Sequence, residues 1–377
     1  MQNNETADLL AGIRAWVEIE THTPDVEGIN RLMTLVASQY TAAGAKVERI
    51  AGRDGKGDQL SINSPWGSKK GENNTGILVL AHLDTVHPKG TLGRDLPFRV
   101  EGDKAYGPGI ADMKGGAYLA YAAYCAVAAN TSKQGLPIRL LYTSDEEIGS
   151  PTSRALIEAA ADSAKYVLVA EPARDGGRIV TARKGVARYE ITTHGRPAHS
   201  GARHQDGRSA ILEMARQVIA IEAMTDYERG ITLNVGQIEG GTADNVVPQN
   251  CVAAIDLRVA TMADALMMDQ RLKSLQPVGP DVTLTVTGGL NREPYEETAG
   301  GRALFERARA IAKDLGIDLQ GVTSGGGSDG NFTARKVATL DGLGCDGVGV
   351  HTLGEHLLVS SLAPRKLLLQ RLLETLR

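Results

Sequence analysis

Three short, unbroken apolar runs constrain this chain more than any other feature. Gly76–Ala81, Ile138–Tyr142 and Val167–Ala170 lie between Gly-, Pro- and Asn-containing turns and helical stretches. Strands covered by helices on both faces read this way, because neither face needs polar residues. Apolar residues recur at three- and four-residue intervals over 6–20 and 28–43, which predicts amphipathic helices. Alanine-rich Lys114–Ala129 and C-terminal Ala363–Leu376 also favour helix. An α/β domain with a mostly parallel sheet follows. The middle of the chain behaves differently. Strands are predicted over 185–193, 231–238, 252–259 and 282–287, with helices over 208–223 and 262–275. That β-α-β-β-α-β order is the split arrangement of ferredoxin-like α+β domains. It places an inserted domain at 184–291, between two parts of the larger domain at 1–183 and 292–377. Gly52–Asn74, polar and rich in glycine and lysine, reads as a surface loop.

Composition narrows the function. The 377 residues suit two or three domains, at about 150 residues each. With 42% apolar and 23% charged residues the chain resembles a soluble globular enzyme. A net charge of −4 and 4% aromatic residues leave neither the basic footprint nor the stacking platform of a nucleic-acid binder. Cys125, Cys251 and Cys345 form no CxxC and read as small buried residues in a reducing compartment. Met1–Ala11 is polar and acidic, without the apolar centre of a secretory signal. No run approaches the roughly 18 apolar residues of a membrane span. A cytoplasmic location is expected, with neither nucleic acid nor membrane as partner.

The chemically informative residues fall at predicted strand ends, where open α/β sheets bind ligands. His82 and Asp84 follow the first run two residues apart, on one face of an extended segment. That pairing suits a metal ligand with its orienting carboxylate, or a surface ion pair. Asp112 lies in a Gly-rich turn before the alanine-rich helix, as a ligand or an N-cap. Asp145, Glu146 and Glu147 follow the second run, as a solvated turn or as neighbouring acids that divide labour, one binding metal and the other moving a proton. Glu171 is held extended by Pro172, as a site residue or a loop acid. His351 and His356 are both open as a late ligand. Together His82, Asp112, Glu147, Glu171 and one late histidine would suit two zinc ions bridged by a carboxylate.

The segments AHLDTV, GPGIADMKGG, TSDEEIGS, AEP and GVGVHTLGE resemble, along the whole chain and in order, the di-zinc family of glutamate carboxypeptidases, acetylornithine deacetylases and succinyl-diaminopimelate desuccinylases. Ala81 stands where glycine is frequent, and Pro108 where arginine is common. The resemblance implies that His82 and His351 bind one zinc each and that Asp112 bridges them, before a cis peptide bond to Met113. It assigns Glu147 and Glu171 to the metal shells, Asp84 to orienting His82, and Glu146 to general-base catalysis. His356 becomes a non-ligand. Cobalt or manganese would also suit such donors. His22, His87, His194 and His204 are left as surface or supporting residues.

The same resemblance makes the inserted domain a lid that forms a homodimer. His199 would reach the partner's active site to stabilise the oxyanion, and Asn245 would contact substrate there. Lys184, Arg258 and Arg292, with Gly325, Gly326 and Gly327, would bind substrate. An arginine fork and glycine amides suit a terminal carboxylate. The expected activity is release of a C-terminal amino acid, glutamate being the expected one, from an acyl or peptidyl conjugate. The alternative is an N-acyl-amino-acid deacylase using the same site.

Overall fold

The computed structural model describes residues 2–66 and 76–377. They form two compact units. One comprises the chain up to Ala182 with Glu297–Thr323 and Ser328–Arg377, and the other Arg183–Glu296 with Ser324–Gly327.

The first unit is built on a six-stranded sheet in the order Lys46–Ile50, Gln59–Asn63, Ile138–Thr143, Gly76–His82, Ala164–Val169, Ala338–Leu340. The last four strands are parallel, and Gln59–Asn63 alone runs antiparallel to both of its neighbours. In Gly76–His82 the side-chain alternation divides the interior. Ile77, Val79 and Ala81 join the core that contains helices Val26–Ala42, Gly116–Ala128 and Leu362–Thr375. Leu78 and Leu80 pack on the other face with Ile157, Val167, Val169 and Phe332. With both faces covered, the strand is apolar throughout.

The Gly52–Asn74 loop expectation needs correction. Gln59–Asn63 is a strand, buried between its two neighbours, and residues 67–74 lie outside the described residues. Polar composition concealed it. Leu60 and Ile62 fill the core. Gln59 is accommodated by donating from Nε2 to Thr152 Oγ1 at 3.2 Å, and Ser61 Oγ accepts from Arg139 Nε at 3.3 Å.

The alanine-rich helix begins at Gly116, two residues later than predicted, because Asp112 and Met113 have non-helical dihedrals. Glycine is required at 116, where a Cβ would lie 1.9 Å from the Ala170 carbonyl oxygen. This close approach brings the turn carrying Asp112 beside the strand end that leads to Glu171.

The second unit has an antiparallel sheet in the order Thr232–Gly240, Asn250–Val259, Gly185–His194, Thr283–Arg292. In strand sequence this is 2-3-1-4, the ferredoxin-like order. Ala187, Tyr189 and Ile191 point into a core shared with helices Ala210–Glu222 and Met262–Lys273. Arg188 and Glu190, on alternate positions, are exposed.

Glu213 is buried on the first of these helices. It accepts from the amides of Val278 and Gly279 and from Gln217 Nε2, each at 2.8 Å. Burial alone would raise its pKa, but these donors outweigh it and hold the carboxyl below its usual value. A depressed carboxylate stabilises the fold above its unfolded pKa and loses that contribution as pH falls through the folded one. Glu213→Gln should therefore cost about 2 kcal/mol at pH 7. The gap in melting temperature from the unaltered chain should begin to shrink only as pH falls below the ordinary carboxylate range of about 4. Melting curves from pH 3 to 8 check this, and a gap independent of pH would contradict it.

Candidate active site

His82 ends its strand at the carboxyl edge of the large sheet, in register with Thr143. Its Nδ1 lies 3.0 Å from the backbone carbonyl oxygen of Asp84 and 3.5 Å from that residue's Oδ1. A carbonyl only accepts, so the proton sits on Nδ1. In a neutral imidazole Nε2 is then free to act as a ligand.

That Nε2 faces a cluster of acids. Asp112 Oδ1 is 3.2 Å away, Glu171 Oε1 3.6 Å and Glu146 Oε2 4.0 Å. The second Asp112 oxygen, Oδ2, lies 3.4 Å from His351 Nε2, which is 3.2 Å from Glu147 Oε2. Asp112 thus faces one histidine with each oxygen. Its peptide bond to Met113 is cis, and its side chain does not cap the following helix. His351 is about half exposed and the least covered of the set. His356 points elsewhere, with Nδ1 2.8 Å from the Gly354 carbonyl oxygen and its ring 5.0 Å from Tyr106.

The electrostatics show what the site lacks. Burial would lower the His82 pKa, but Asp112 and Asp84 overcome this and hold it well above its usual value. Asp112 and Glu147 push His351 up to about 10. Burial resists ionisation of Asp112, yet the two histidines hold it well below the usual carboxylate range. Burial, reinforced by Asp112 and Glu146, pushes Glu147 up to about 8 despite His351. Buried Glu147 Oε1 has no hydrogen-bond partner among the described residues. Ligand atoms of His82, Glu146 and Glu171, and those of His82, Asp112 and Glu147, lie within 4.8 Å of one another. Imidazole and carboxylate donors around such a deficit of positive charge fit divalent cations.

The carboxylate of Asp84 does more than face His82. It is fully buried and accepts from the Glu146 and Glu147 amides at 3.1 and 3.2 Å and from Thr23 Oγ1 at 2.8 Å. It therefore sets the turn that carries both glutamates. Thr23 has no sequence signal, since it lies 61 residues from Asp84. Asp145, the first acid of the run, anchors that loop by accepting from Thr152 N and Oγ1 and from Ser153 Oγ.

Within the second unit, Arg292 is buried at the end of its strand. A Cβ on Gly327 would lie 2.8 Å from its Cδ, so the arginine and the Gly325–Gly327 segment adjoin. The Lys184 amide donates to the Ser324 carbonyl oxygen at 3.0 Å. Buried Arg183, absent from the sequence-based site, donates from Nη1 to the Gly326 carbonyl oxygen at 3.1 Å. Arg258 is engaged by Asp256, with Nε at 2.6 Å and Nη2 at 3.0 Å. The His199 and Asn245 loops meet, Ser200 N donating to the Asn245 carbonyl oxygen at 3.0 Å. Exposed His199 accepts at Nδ1 from the amides of Gly201 and Ala202, at 3.1 and 3.2 Å. That leaves Nε2–H as its outward donor.

Fold and site together are those of a metal-dependent hydrolase of amide bonds. Residues 78–375 match the peptidase family M20/M25/M40, and the chain belongs to that family. It is 31% identical over 373 residues to carboxypeptidase G2 of Pseudomonas sp., covering 97% of this chain and 88% of the relative. It is 27% identical over 382 residues to succinyl-diaminopimelate desuccinylase of Delftia acidovorans, covering 96% of each. Among solved structures, aminopeptidase PepT from Bacillus cereus shares the fold, with a TM-score of 0.79, 22% identity and 98% of each chain covered. No helix among the described residues is long and apolar enough to cross a membrane.

Ligation requires neutral imidazole and ionised carboxylates. With His351 near 10 and Glu147 near 8, loading a divalent cation at pH 7 should release protons, and apparent affinity should rise with pH. Calorimetric titration of the metal-free chain in two buffers of different ionisation enthalpy measures the released protons. Identical heats in both would contradict this charge balance.

Proposed function

We propose that this chain is a di-zinc exopeptidase that releases a C-terminal amino acid, glutamate being the best fit, from an acyl or peptidyl conjugate. The observation that carries the substrate side is the contact between buried Arg292 and the Gly325–Gly327 segment. A planar guanidinium beside backbone amides suits a carboxylate. Arg258 is the weaker candidate because Asp256 already occupies its fork. Similarity to a carboxypeptidase along nearly the whole chain supports the same reading.

In this reading His82, Asp112, Glu147, Glu171 and His351 would hold the two ions. When bound, the cations polarise the scissile carbonyl and make water easier to deprotonate. Glu146 takes the proton from the attacking water and delivers it to the leaving amine. Asp84 fixes the turn from which Glu146 acts. His199 Nε2–H donates to the oxyanion, and Asn245 and Lys184 hold the substrate. Both His199 and Asn245 act from the partner of a homodimer formed through the second unit. That unit leaves Leu212 and Ile219 of one helix 54% and 73% exposed, and its edge strand carries Ile238 at 56%. Apolar exposure beside an unpaired edge favours a subunit contact.

Glu146→Gln should keep two ions per chain while turnover on N-acyl-glutamates falls by about 10²–10⁴. Metal analysis and rate measurements on one preparation check this, and near-normal turnover would remove Glu146 from the role. Mixing inactive Glu146→Gln and His199→Ala chains should restore part of the activity. No recovery after verified subunit exchange would refute action across the dimer. A panel pairing N-acyl-glutamates with N-acetyl-ornithine separates the carboxypeptidase reading from the deacylase alternative, and preference for the latter would favour a deacylase.

A further inference from the structure

Two ligand-bearing loops that extend beyond their strands converge on one buried acid. His82 ends a strand of the six-stranded sheet, and Glu171 lies just beyond another. Asp112 sits instead in an irregular turn, and His351 in a loop at a φ of +64°. Strand pairing joins the two segments, because His356–Leu358, which closes the hairpin bearing His351, pairs with Lys104–Tyr106 ahead of the Asp112 turn, but the pairing stops short of both ligands.

Glu355 lies four residues beyond His351 and is 1% exposed. Its Oε1 accepts from the amides of Ala111 and Asp112 at 2.9 and 3.0 Å. Its Oε2 accepts from the Gly109 amide at 3.1 Å and faces His87 Nε2 at 2.6 Å. Gly109 allows this convergence through its φ of +68°. One carboxylate thus grips the turn bearing Asp112 while belonging to the segment bearing His351. His87, itself buried, completes the set from the strand-end loop that follows Asp84.

We propose that Glu355, held by His87, is a positioning residue that sets Asp112 against His351 and thereby builds the half of the metal centre facing His351. The inference rests on the two-cation reading above. The two oxygens together accept three backbone amides, and Oε2 also pairs with the His87 ring. In a glutamine the Oε1 position could still serve two amides. Its amino group would then confront the Gly109 amide, and donor would face donor.

The test is calorimetric titration of metal-free chain with Co²⁺, alongside its circular dichroism melting curve, for the unaltered chain, Glu355→Gln and His87→Phe. The unaltered chain should bind two ions. Glu355→Gln should bind the first comparably and the second about 10- to 100-fold more weakly, the usual cost of losing a supporting partner. His87→Phe keeps a ring in place but removes the nitrogen that faces Glu355, and should weaken the second ion in the same direction by about tenfold. If Glu355→Gln does not fold, His87→Phe decides alone. Second-ion affinity within about threefold of the unaltered chain in the folded variants would overturn the proposal. Failure of the unaltered chain to take two ions would instead overturn the two-cation reading on which it rests.

Discussion

The site depends on one carboxylate placed between two imidazoles. Asp112 directs Oδ1 toward His82 and Oδ2 toward His351, while Glu146, Glu147 and Glu171 crowd the same space. Such an assembly of buried acids is untenable without positive charge. In the protein alone the two histidines supply it as imidazolium. Cations that replace those protons relieve the same repulsion, so the geometry that makes the acids costly is also what selects the metal.

The supporting structure works at backbone level. Asp84 accepts the amides of Glu146 and Glu147, Asp145 ties down the continuation of that loop, and Glu355 accepts the amides around Asp112. In each case a fully buried carboxylate satisfies main-chain donors in an irregular turn that sheet pairing leaves unpaired. Each charge is stabilised by directed hydrogen bonds, and each loop gains a single preferred conformation. This explains why the rim of the sheet holds several acids that need touch neither metal nor substrate.

Much of this was legible in residue order. The apolar runs ending in His82 and Glu171 mark strand ends because apolar periodicity is a local property. The β-α-β-β-α-β pattern of the second unit is legible for the same reason. Gln59–Asn63 was not, because its polar residues are accommodated by Thr152 and Arg139, which come close only in the fold. Thr23 and His87 were illegible as site residues on similar grounds. A lone hydroxyl or imidazole gains meaning only from a partner brought to it across tens or hundreds of residues.

The amino-acid order by itself determined the inventory: which side chains are able to ligate, which turn must contain glycine, and which segments alternate to form each core. Tertiary structure alone decided which surroundings each of several equivalent carboxylates meets. Asp84, Asp145 and Glu355 carry the same functional group as Asp112, Glu147 and Glu171. The first three accept backbone amides, and the second three face Nε2 of His82 or His351. A carboxylate's role follows from the donors that surround it, and those donors are assembled only when distant segments meet at the edge of the sheet.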